Sequence, residues 1–221
     1  MSDRIELPED DLYHDWSDHD TADRLDRKKL ERDYWDKAAL DPEVDEKYIS
    51  DISTEECIDA LDPDGEDYLE GVLAPGMILD IGCGVGRIAN QVGAVGIDIS
   101  EKMLEIARRN AIWPSQYHLS DGRTIPFSDE TFDSAYSMLL FQHLEGPTIY
   151  GYMQEVFRVL KPGGMFRFQY IPGTEREPFS NHYDGKQIRK WLKLSGLEFV
   201  KEDEGLCHPQ WSWVTARKPQ A

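Results

Sequence analysis

The segment Met77-Ile78-Leu79-Asp80-Ile81-Gly82-Cys83-Gly84-Val85-Gly86-Arg87 decides the fold of this chain. Its first five residues predict a short buried strand, and the three glycines predict a tight turn that leads into a helix near Arg87. Glycine permits positive φ angles and lets a ligand approach the backbone without meeting a Cβ atom. Because the first N–H groups of a helix point at whatever occupies such a turn, the segment predicts a site of the nucleotide-binding type.

A glycine-rich turn is not specific by itself, since NAD-binding Rossmann domains also have one. Two further segments indicate which kind of ligand the glycine-rich turn binds. Val95-Gly96-Ile97-Asp98 predicts a second buried strand, ending in a carboxylate that can accept both hydroxyls of a ribose. Ser120-Asp121-Gly122 follows a third strand, Gln116 to Leu119, and places Asp121 where an adenine amino group could donate to it. The alternative interpretation is that Asp98 and Asp121 only cap their own loops.

A fourth motif, Val159-Leu160-Lys161-Pro162-Gly163-Gly164, ends a helix and turns into a strand from Met165 to Tyr170. The four segments together resemble the class I S-adenosylmethionine-dependent methyltransferases, in their broad small-molecule branch, over roughly residues 75 to 217. The resemblance implies an α/β fold with a Rossmann-like, doubly wound, seven-stranded sheet. It also implies a last strand that is antiparallel and lies between strands five and six, and S-adenosylmethionine as cofactor with S-adenosylhomocysteine as product.

The resemblance also assigns roles to individual residues. The glycine loop and Asp80 shape the pocket for the methionine end of the cofactor, Asp98 holds the ribose, and Leu139 offers backbone contacts. Cys83 is interpreted as a small residue that fits the loop. The cofactor-binding residues implied in the core are Asp80, Gly82, Cys83, Gly84, Gly86, Asp98, Ile99, Asp121, Gly122 and Leu139.

The N-terminal third differs from the rest in charge. Residues 1–70 hold 26 Asp or Glu and 8 Lys or Arg, whereas residues 71–221 hold 17 and 16, so nearly all of the net charge of −19 lies before the core. A halophilic adaptation would place acidic residues over the whole surface. An acidic segment opposes docking on a phosphate backbone, and we therefore expect no nucleic-acid substrate.

The length and composition predict one core with an appendage. We expect an acidic, partly disordered tail at residues 1–22, a helical cap or lid at 23–73 and the cofactor-binding core at 74–221. Within the cap, helices are predicted from Thr21 to a stop at Asp41-Pro42, from Thr54, and over residues 64–72. The sequence has no signal-peptide pattern and no apolar run of 18 residues, which predicts a soluble, cytoplasmic protein without membrane attachment.

The cap carries the aromatic pair Tyr34-Trp35, followed by Asp36. Many members of the resembled family have such an element before the core, with aromatic rings covering the methionine end of the cofactor. The alternative is a helix pinned to the core by two aromatic side chains. Cys57, Cys83 and Cys207 lack metal-ligand spacing, and the His and Asp residues of the tail are typical of a solvated acidic segment, so we predict no metal.

The candidate general base is His143, because the segment after strand four, Ser137 to His143, reaches the mouth between cofactor and acceptor. Its alternative role is packing or hydrogen bonding at the start of a loop. His182 and Tyr183, before the last predicted helix, are second candidates for contacting the substrate, although a surface position beside the Asp184 helix cap explains them as well.

Three functions are compatible with these patterns. The first is methyl transfer to a small-molecule oxygen or nitrogen, with a neutral or cationic acceptor and a monomeric or homodimeric enzyme. The second is a catalytically silent, cofactor-binding subunit that acts through a protein partner. The third is an NAD-dependent oxidoreductase, disfavoured by the GxGxG spacing, by Asp121 and by the Lys161 to Gly164 turn. The chain lacks the Asn/Asp-Pro-Pro-Tyr/Phe element of DNA-base methyltransferases after strand four, so a nucleic-acid or protein methyltransferase is less favoured.

Overall fold

The computed structural model describes residues 21–40, 54–61, 76–113, 116–174, 176–177 and 180–220. Residues 1–20 of the expected tail and the helix expected at residues 64–72 lie outside these ranges, while residues 21 and 22, also assigned to the tail, begin a helix. The two cap helices that are described begin at the expected residues, Thr21 and Thr54.

The described chain alternates between strands and helices. The helices are α1 Thr21–Ala38, α2 Thr54–Leu61, α3 Arg87–Val92, α4 Glu101–Asn110, α5 Gly146–Val159 and α6 Gly185–Ser195, with a 3₁₀ turn at Phe141–His143. The strands are β1 Ile78–Ile81, β2 Val95–Asp98, β3 Tyr117–Leu119, β4 Phe132–Ser137, β5 Leu160–Pro172, β6 Arg176–Glu177, β7 Ser180–Tyr183, β8 Glu198–Glu204 and β9 Ser212–Arg217.

The sheet confirms the expected fold class. Strands β3, β2, β1, β4 and β5 are neighbours in that order and are parallel. Strand β9 runs antiparallel to β5 and to β8, and therefore lies between them. This is the predicted antiparallel last strand, and the order reverses between β1 and β4, where open α/β sheets bind their ligands.

Helices cover both faces of the sheet and bury its apolar side chains. One core includes Ile149, Met153 and Val156 of α5 and Ile188 and Leu192 of α6. A second core, which includes residues of β1, β4 and β9, takes side chains from α2, α3 and α4. A small third cluster joins Ala38 of α1 to Val85 of the glycine loop and Met103 of α4, and so places α1 above the loop.

Two helix starts follow from local side-chain chemistry. Ser100 accepts the backbone N–H of Met103 at 3.1 Å, as expected of the N-cap of α4. Asp184 caps α6 by accepting the N–H of Lys186 at 2.8 Å. This confirms the helix cap that the sequence predicted at Asp184.

Strand β5 differs from the prediction at both ends. The segment Lys161 to Gly164, expected to be a turn, is part of the strand, because Gly163 and Gly164 exchange backbone hydrogen bonds of 2.9 Å with Lys218, just beyond β9. At the other end β5 extends past the start of β9, and β7 pairs with this exposed edge at Ile171 and Pro172. The connection between β5 and α6 therefore contains two short strands that were not predicted, β7 and its partner β6.

Candidate functional site

A cleft opens at the carboxyl ends of β1, β2 and β4 and is covered on one side by α1. Most residues that the sequence assigned to the cofactor contribute to it, together with His143. The cleft is lined by Glu31, Trp35, Asp80, Gly82, Cys83, Gly84, Val85, Arg87, Ile88, Ile97, Asp98, Ile99, Met103, Ser120, Gly122, Met138, Leu139, Leu140, His143, Leu144 and Tyr152.

The glycine loop is held against β2 by its backbone. The carbonyl oxygen of Ile97 accepts the N–H groups of Gly82 and Cys83 at 2.8 and 3.0 Å. At Gly86, where φ is +77°, an added Cβ atom would overlap the hydroxyl of Tyr117, which itself donates to Asn90 at 2.7 Å. Gly86 is therefore a structural glycine behind the loop and is not part of the cleft lining.

Asp98 lies between the loop and α4. One carboxylate oxygen accepts the N–H of Gly84 at 2.9 Å and the other accepts the N–H of Ser100 at 2.9 Å. Burial raises the pKa of Asp98, and the backbone N–H groups oppose that shift. An ionised carboxylate offers about four lone-pair positions, so Asp98 can still accept from a hydroxyl donor in the cleft.

Asp80 is buried at the base of the cleft, with 4% of its surface exposed. The hydroxyl of Tyr136 donates to it at 2.9 Å. Burial raises the pKa of Asp80 to about 7, and the neighbouring charge of Asp98 adds to the shift. Burial also raises the pKa of Cys83, so that residue is a neutral thiol, in keeping with its interpretation as a small residue that fits the loop.

Asp121 is placed differently from its expected role. Its carboxylate accepts the N–H groups of Arg123 and Thr124 at 2.8 and 2.7 Å and the Thr124 hydroxyl at 3.1 Å. The side chain is exposed and is not part of the cleft lining. The structure thus favours the loop-capping interpretation of Asp121, while its neighbours Ser120 and Gly122 do line the cleft.

Helix α1 contacts the core at both ends of the cleft. Lys28 donates to the carbonyl oxygen of Gly122 at 2.6 Å, and burial lowers the pKa of Lys28 to about 8, with Arg123 adding to the shift. Eight residues later, Asp36 accepts the hydroxyl of Ser100 at 2.5 Å. These two contacts hold α1 across the cleft.

The two aromatic residues of α1 occupy different positions relative to the cleft. The ring of Trp35 lines the cleft and meets the ring of His143 edge-on, with centroids 5.5 Å apart. Tyr34 is 45% exposed and packs edge-on against Trp35, outside the cleft lining. A direct cofactor contact is therefore supported for Trp35 and not for Tyr34.

The second substrate candidates lie behind the cleft. Tyr183 is buried and donates its hydroxyl to the carbonyl oxygen of Leu144 at 2.5 Å, which ties β7 to the turn after His143. His182 pairs with Ile171 in the β5–β7 ladder. Neither residue lines the cleft, so the geometry does not support contact with a substrate; Tyr183 supports the turn after His143, and His182 belongs to the β5–β7 pairing.

Several lining residues had no signal in the sequence. Glu31 and Tyr152 fall in ordinary helical patterns, and only the packing of α1 and α5 on the sheet brings them to the cleft. Asp36 follows the aromatic pair, and only the packing of α1 against α4 brings it to the N-cap Ser100. Across the residues described, no three His, Cys, Asp or Glu side chains form a group suited to a metal ion. Within the same ranges no helix has the length and apolar character of a membrane span.

Known proteins match this chain over the region that forms the cleft. The model of a family described as "Methyltransferase domain" matches residues 79–168, from β1 into β5. A demethylmenaquinone methyltransferase of Tropheryma whipplei is 28% identical over 175 residues, which cover 64% of this chain and 70% of that protein. A 24-methylenesterol C-methyltransferase 2 of Oryza sativa is 40% identical over 172 residues, covering 64% of this chain and 46% of that protein.

Among solved structures, the magnesium protoporphyrin IX methyltransferase of Synechocystis with bound S-adenosylmethionine superposes with a TM-score of 0.65. The match covers 86% of this chain and 96% of that one, at 16% identity, and so shows a shared fold. The chain spans less than half the length of several curated relatives, including only 26% of one of them.

Proposed function

We propose that this chain carries a class I S-adenosylmethionine-dependent methyltransferase domain and that it transfers a methyl group to a small-molecule oxygen or nitrogen. The observation that carries the proposal is the cleft itself. It brings the glycine loop, the buried carboxylate of Asp80, the partly buried carboxylate of Asp98 and His143 together at the point where the strand order reverses.

The shape of the loop fits the cofactor. Gly84 has a φ angle of +52°, and a Cβ atom built on it would meet no atom within 4 Å. The loop therefore faces open space at its centre. The carboxylate of Asp98 accepts hydrogen bonds from the N–H groups of Gly84 and Ser100 and can accept further ones, so it is suited to the hydroxyls of a ribose.

The charged residues that line the cleft favour a positively charged ligand. Its ionisable lining includes the carboxylates of Glu31, Asp80 and Asp98 and a single guanidinium, that of Arg87. A positively charged ligand compensates this excess of acid and favours the ionised form of Asp80, whose pKa burial has raised. S-adenosylmethionine carries an ammonium group, a sulfonium group and one carboxylate, so its net charge is positive and complements the acidic lining.

When bound, S-adenosylmethionine supplies a methyl group activated by the positive sulfur. The task of the chain is then to align the acceptor, exclude water and take a proton where the acceptor has one to lose. Trp35 and His143 lie face to edge at the side of the cleft formed by α1 and the turn after β4. We assign acceptor alignment to this end of the cleft and the general-base role to His143.

The walls beside His143 include Met138, Leu140 and Leu144, so this end of the cleft is largely apolar. Together with the acidic lining, this favours a neutral or cationic acceptor over a phosphorylated one. The names of the two relatives described above refer to a demethylated menaquinone and a methylenesterol, which are neutral acceptors; because the second is named a C-methyltransferase, these names support the charge of the acceptor and not the choice of oxygen or nitrogen.

Two measurements test the proposal. Calorimetric titration of the full chain should give binding of S-adenosylhomocysteine and none of NAD. A panel of alcohols, phenols, amines and phosphorylated metabolites, incubated with methyl-labelled cofactor, should then yield labelled product with a neutral or cationic member. Binding of NAD in place of S-adenosylhomocysteine, or a phosphorylated compound as the best acceptor, would contradict the proposal.

A further inference from the structure

A chain of amide groups leads from the backbone to His143. The N–H of Leu139 donates to Oε1 of Gln169 at 3.1 Å, and Nε2 of Gln169 donates to Oε1 of Gln142 at 3.0 Å. Nε2 of Gln142 lies 3.4 Å from Nε2 of His143. Gln169 is fully buried on β5, so the chain is anchored in the core of the sheet.

The backbone N–H of Leu139 determines which atom donates and which accepts in every hydrogen bond of this chain of amides. A backbone N–H can only donate, so the atom of Gln169 that faces Leu139 is its carbonyl oxygen, and its amide nitrogen faces Gln142. The same reasoning makes the atom of Gln142 that faces Gln169 an oxygen. The NH₂ group of Gln142 is then the group that faces His143, and the ring nitrogen opposite it has to accept.

We propose that Gln169 and Gln142 are positioning residues that hold His143 in one neutral tautomer, with the hydrogen on Nδ1 and the lone pair on Nε2. A hydrogen bond to the lone pair stabilises the neutral ring relative to the imidazolium ion. The alternative tautomer would place an N–H on Nε2, facing the NH₂ group of Gln142, where two donors would meet.

The tautomer defines how His143 acts as a base, a role that rests on the proposed function. The resting ring has no proton on Nε2, which is the state a general base requires. The acceptor's oxygen or nitrogen keeps the electron pair of its bond to hydrogen, and the proton passes to Nε2 to give the imidazolium ion. The Gln142 N–H is displaced in this step, and loss of the proton restores the original bond.

The backbone before the histidine supports the same arrangement. Leu139 has a φ angle of +57°, in the left-handed region that residues with a Cβ atom seldom adopt. Its N–H is held by Gln169, and the 3₁₀ turn from Phe141 to His143 begins two residues later. The hydrogen bond to Gln169 thus fixes the polypeptide backbone where it turns from β4 towards His143.

The groups around His143 belong to several elements. Glu31 and Trp35 come from α1, and β7, which carries His182 and Tyr183, packs against the 3₁₀ turn. The other ionisable residues that line the same cleft are Asp80, Cys83, Arg87, Asp98 and Tyr152. The charges of these residues affect how readily the ring is protonated, so the test reads the tautomer directly and compares variants that carry the same change of charge.

The tautomer can be read by ¹⁵N NMR on the full chain labelled at histidine, with His143→Gln identifying the signals. His208 provides an internal reference, because its Nδ1 accepts the N–H of Gln210 at 3.2 Å and its neutral form therefore carries the hydrogen on Nε2. We expect His143 and His208 to show opposite protonation patterns. A His143 ring with its hydrogen on Nε2 would overturn the proposal.

Gln142→Glu tests the hydrogen bonds between the amide groups and His143, since an ionised carboxylate can only accept a hydrogen bond. The hydrogen of His143 should move to Nε2, and the pH midpoint of its protonation should rise by about one unit or more. Gln154→Glu is the matched control: Gln154 lies on α5 and donates to Tyr150, away from the chain. An equal shift in both variants would contradict the proposal.

Gln142→Leu covers the case in which the charged variant does not fold. Loss of the donor should leave a mixture of the two tautomers, whereas an unchanged Nδ1–H tautomer would contradict the proposal. None of these spectra requires cofactor or acceptor. Failure of the tautomer assignment is therefore distinguishable from failure of the methyltransferase proposal, which calorimetry and the acceptor panel test.

Discussion

The carboxylate of Asp98 accepts the backbone N–H of Gly84 at 2.9 Å, which ties the end of β2 to the middle of the glycine loop. We propose that the same carboxylate accepts the ribose hydroxyls, so Asp98→Ala should remove both the ligand contacts and a bond that shapes the loop. We predict that the change weakens binding of S-adenosylhomocysteine by about 2–3 kcal/mol, the scale of charge-assisted hydrogen bonds. Calorimetric titration measures this directly.

Asp121→Ala is the matched control, because Asp121 follows the neighbouring strand and bonds only within its own loop among the contacts described. Its affinity for S-adenosylhomocysteine should stay within about threefold of the original. A change below about threefold for Asp98→Ala would place the ribose elsewhere. A large loss for Asp121→Ala would instead restore the adenine contact expected from the sequence.

Cofactor affinity should depend on pH through Asp80. Burial raises the pKa of Asp80 from 3.8 to about 7, and a cation in the cleft favours the ionised form. Binding therefore releases a proton below pH 7, and affinity for S-adenosylmethionine should fall as pH is lowered, up to about tenfold per unit. Titrations at pH 6 and pH 8 measure the effect. Asp80→Asn should remove most of this dependence, and an equally steep dependence in that variant would assign it to another group.

Asp36 should hold α1 on the core. It accepts the hydroxyl of Ser100 at 2.5 Å, and that hydroxyl oxygen accepts the N–H of Met103 in the first turn of α4. Asp36→Ala should therefore speed amide hydrogen exchange in α1 and weaken binding of S-adenosylhomocysteine by about 1–2 kcal/mol. Asp33→Ala, an exposed change of the same kind on the same helix, should alter neither. Equal exchange rates in the two variants would show that apolar packing alone holds the helix.

Much of this arrangement was predictable where it depends on local patterns. Short apolar runs ending at glycine or aspartate located β1, β2 and the loop. The role of Asp121 could not be decided from the sequence, because an aspartate at a strand end can contact a ligand or its own turn, and that choice depends on the path of the loop. The ends of β5 depend on β7 and on residues beyond β9, and Gln169 is an ordinary strand residue until its neighbours are known.

His143 should affect turnover and leave cofactor binding unchanged. If it accepts the acceptor's proton, His143→Ala should lower the turnover rate by about 10²-fold or more, because that is the usual contribution of a general base. The comparison uses the acceptor found in the labelled-cofactor panel. His208→Ala, in the connection between β8 and β9, should retain full turnover. Loss of folding or of cofactor affinity in His143→Ala would support the packing role instead.

The final prediction concerns α1 as the cover of the cleft. Deleting residues 1–40 removes the Lys28 bond to Gly122, the Asp36 bond to Ser100 and the Trp35 wall, and it uncovers Val85 and Met103. The core should still fold, since its sheet and two main clusters lie outside this segment, but it should bind S-adenosylhomocysteine weakly and transfer no methyl group. Deleting residues 1–20 should keep affinity within about threefold. Calorimetry and labelled turnover compare the two deletions, and full activity in the longer one would show that the cleft needs no cover from α1.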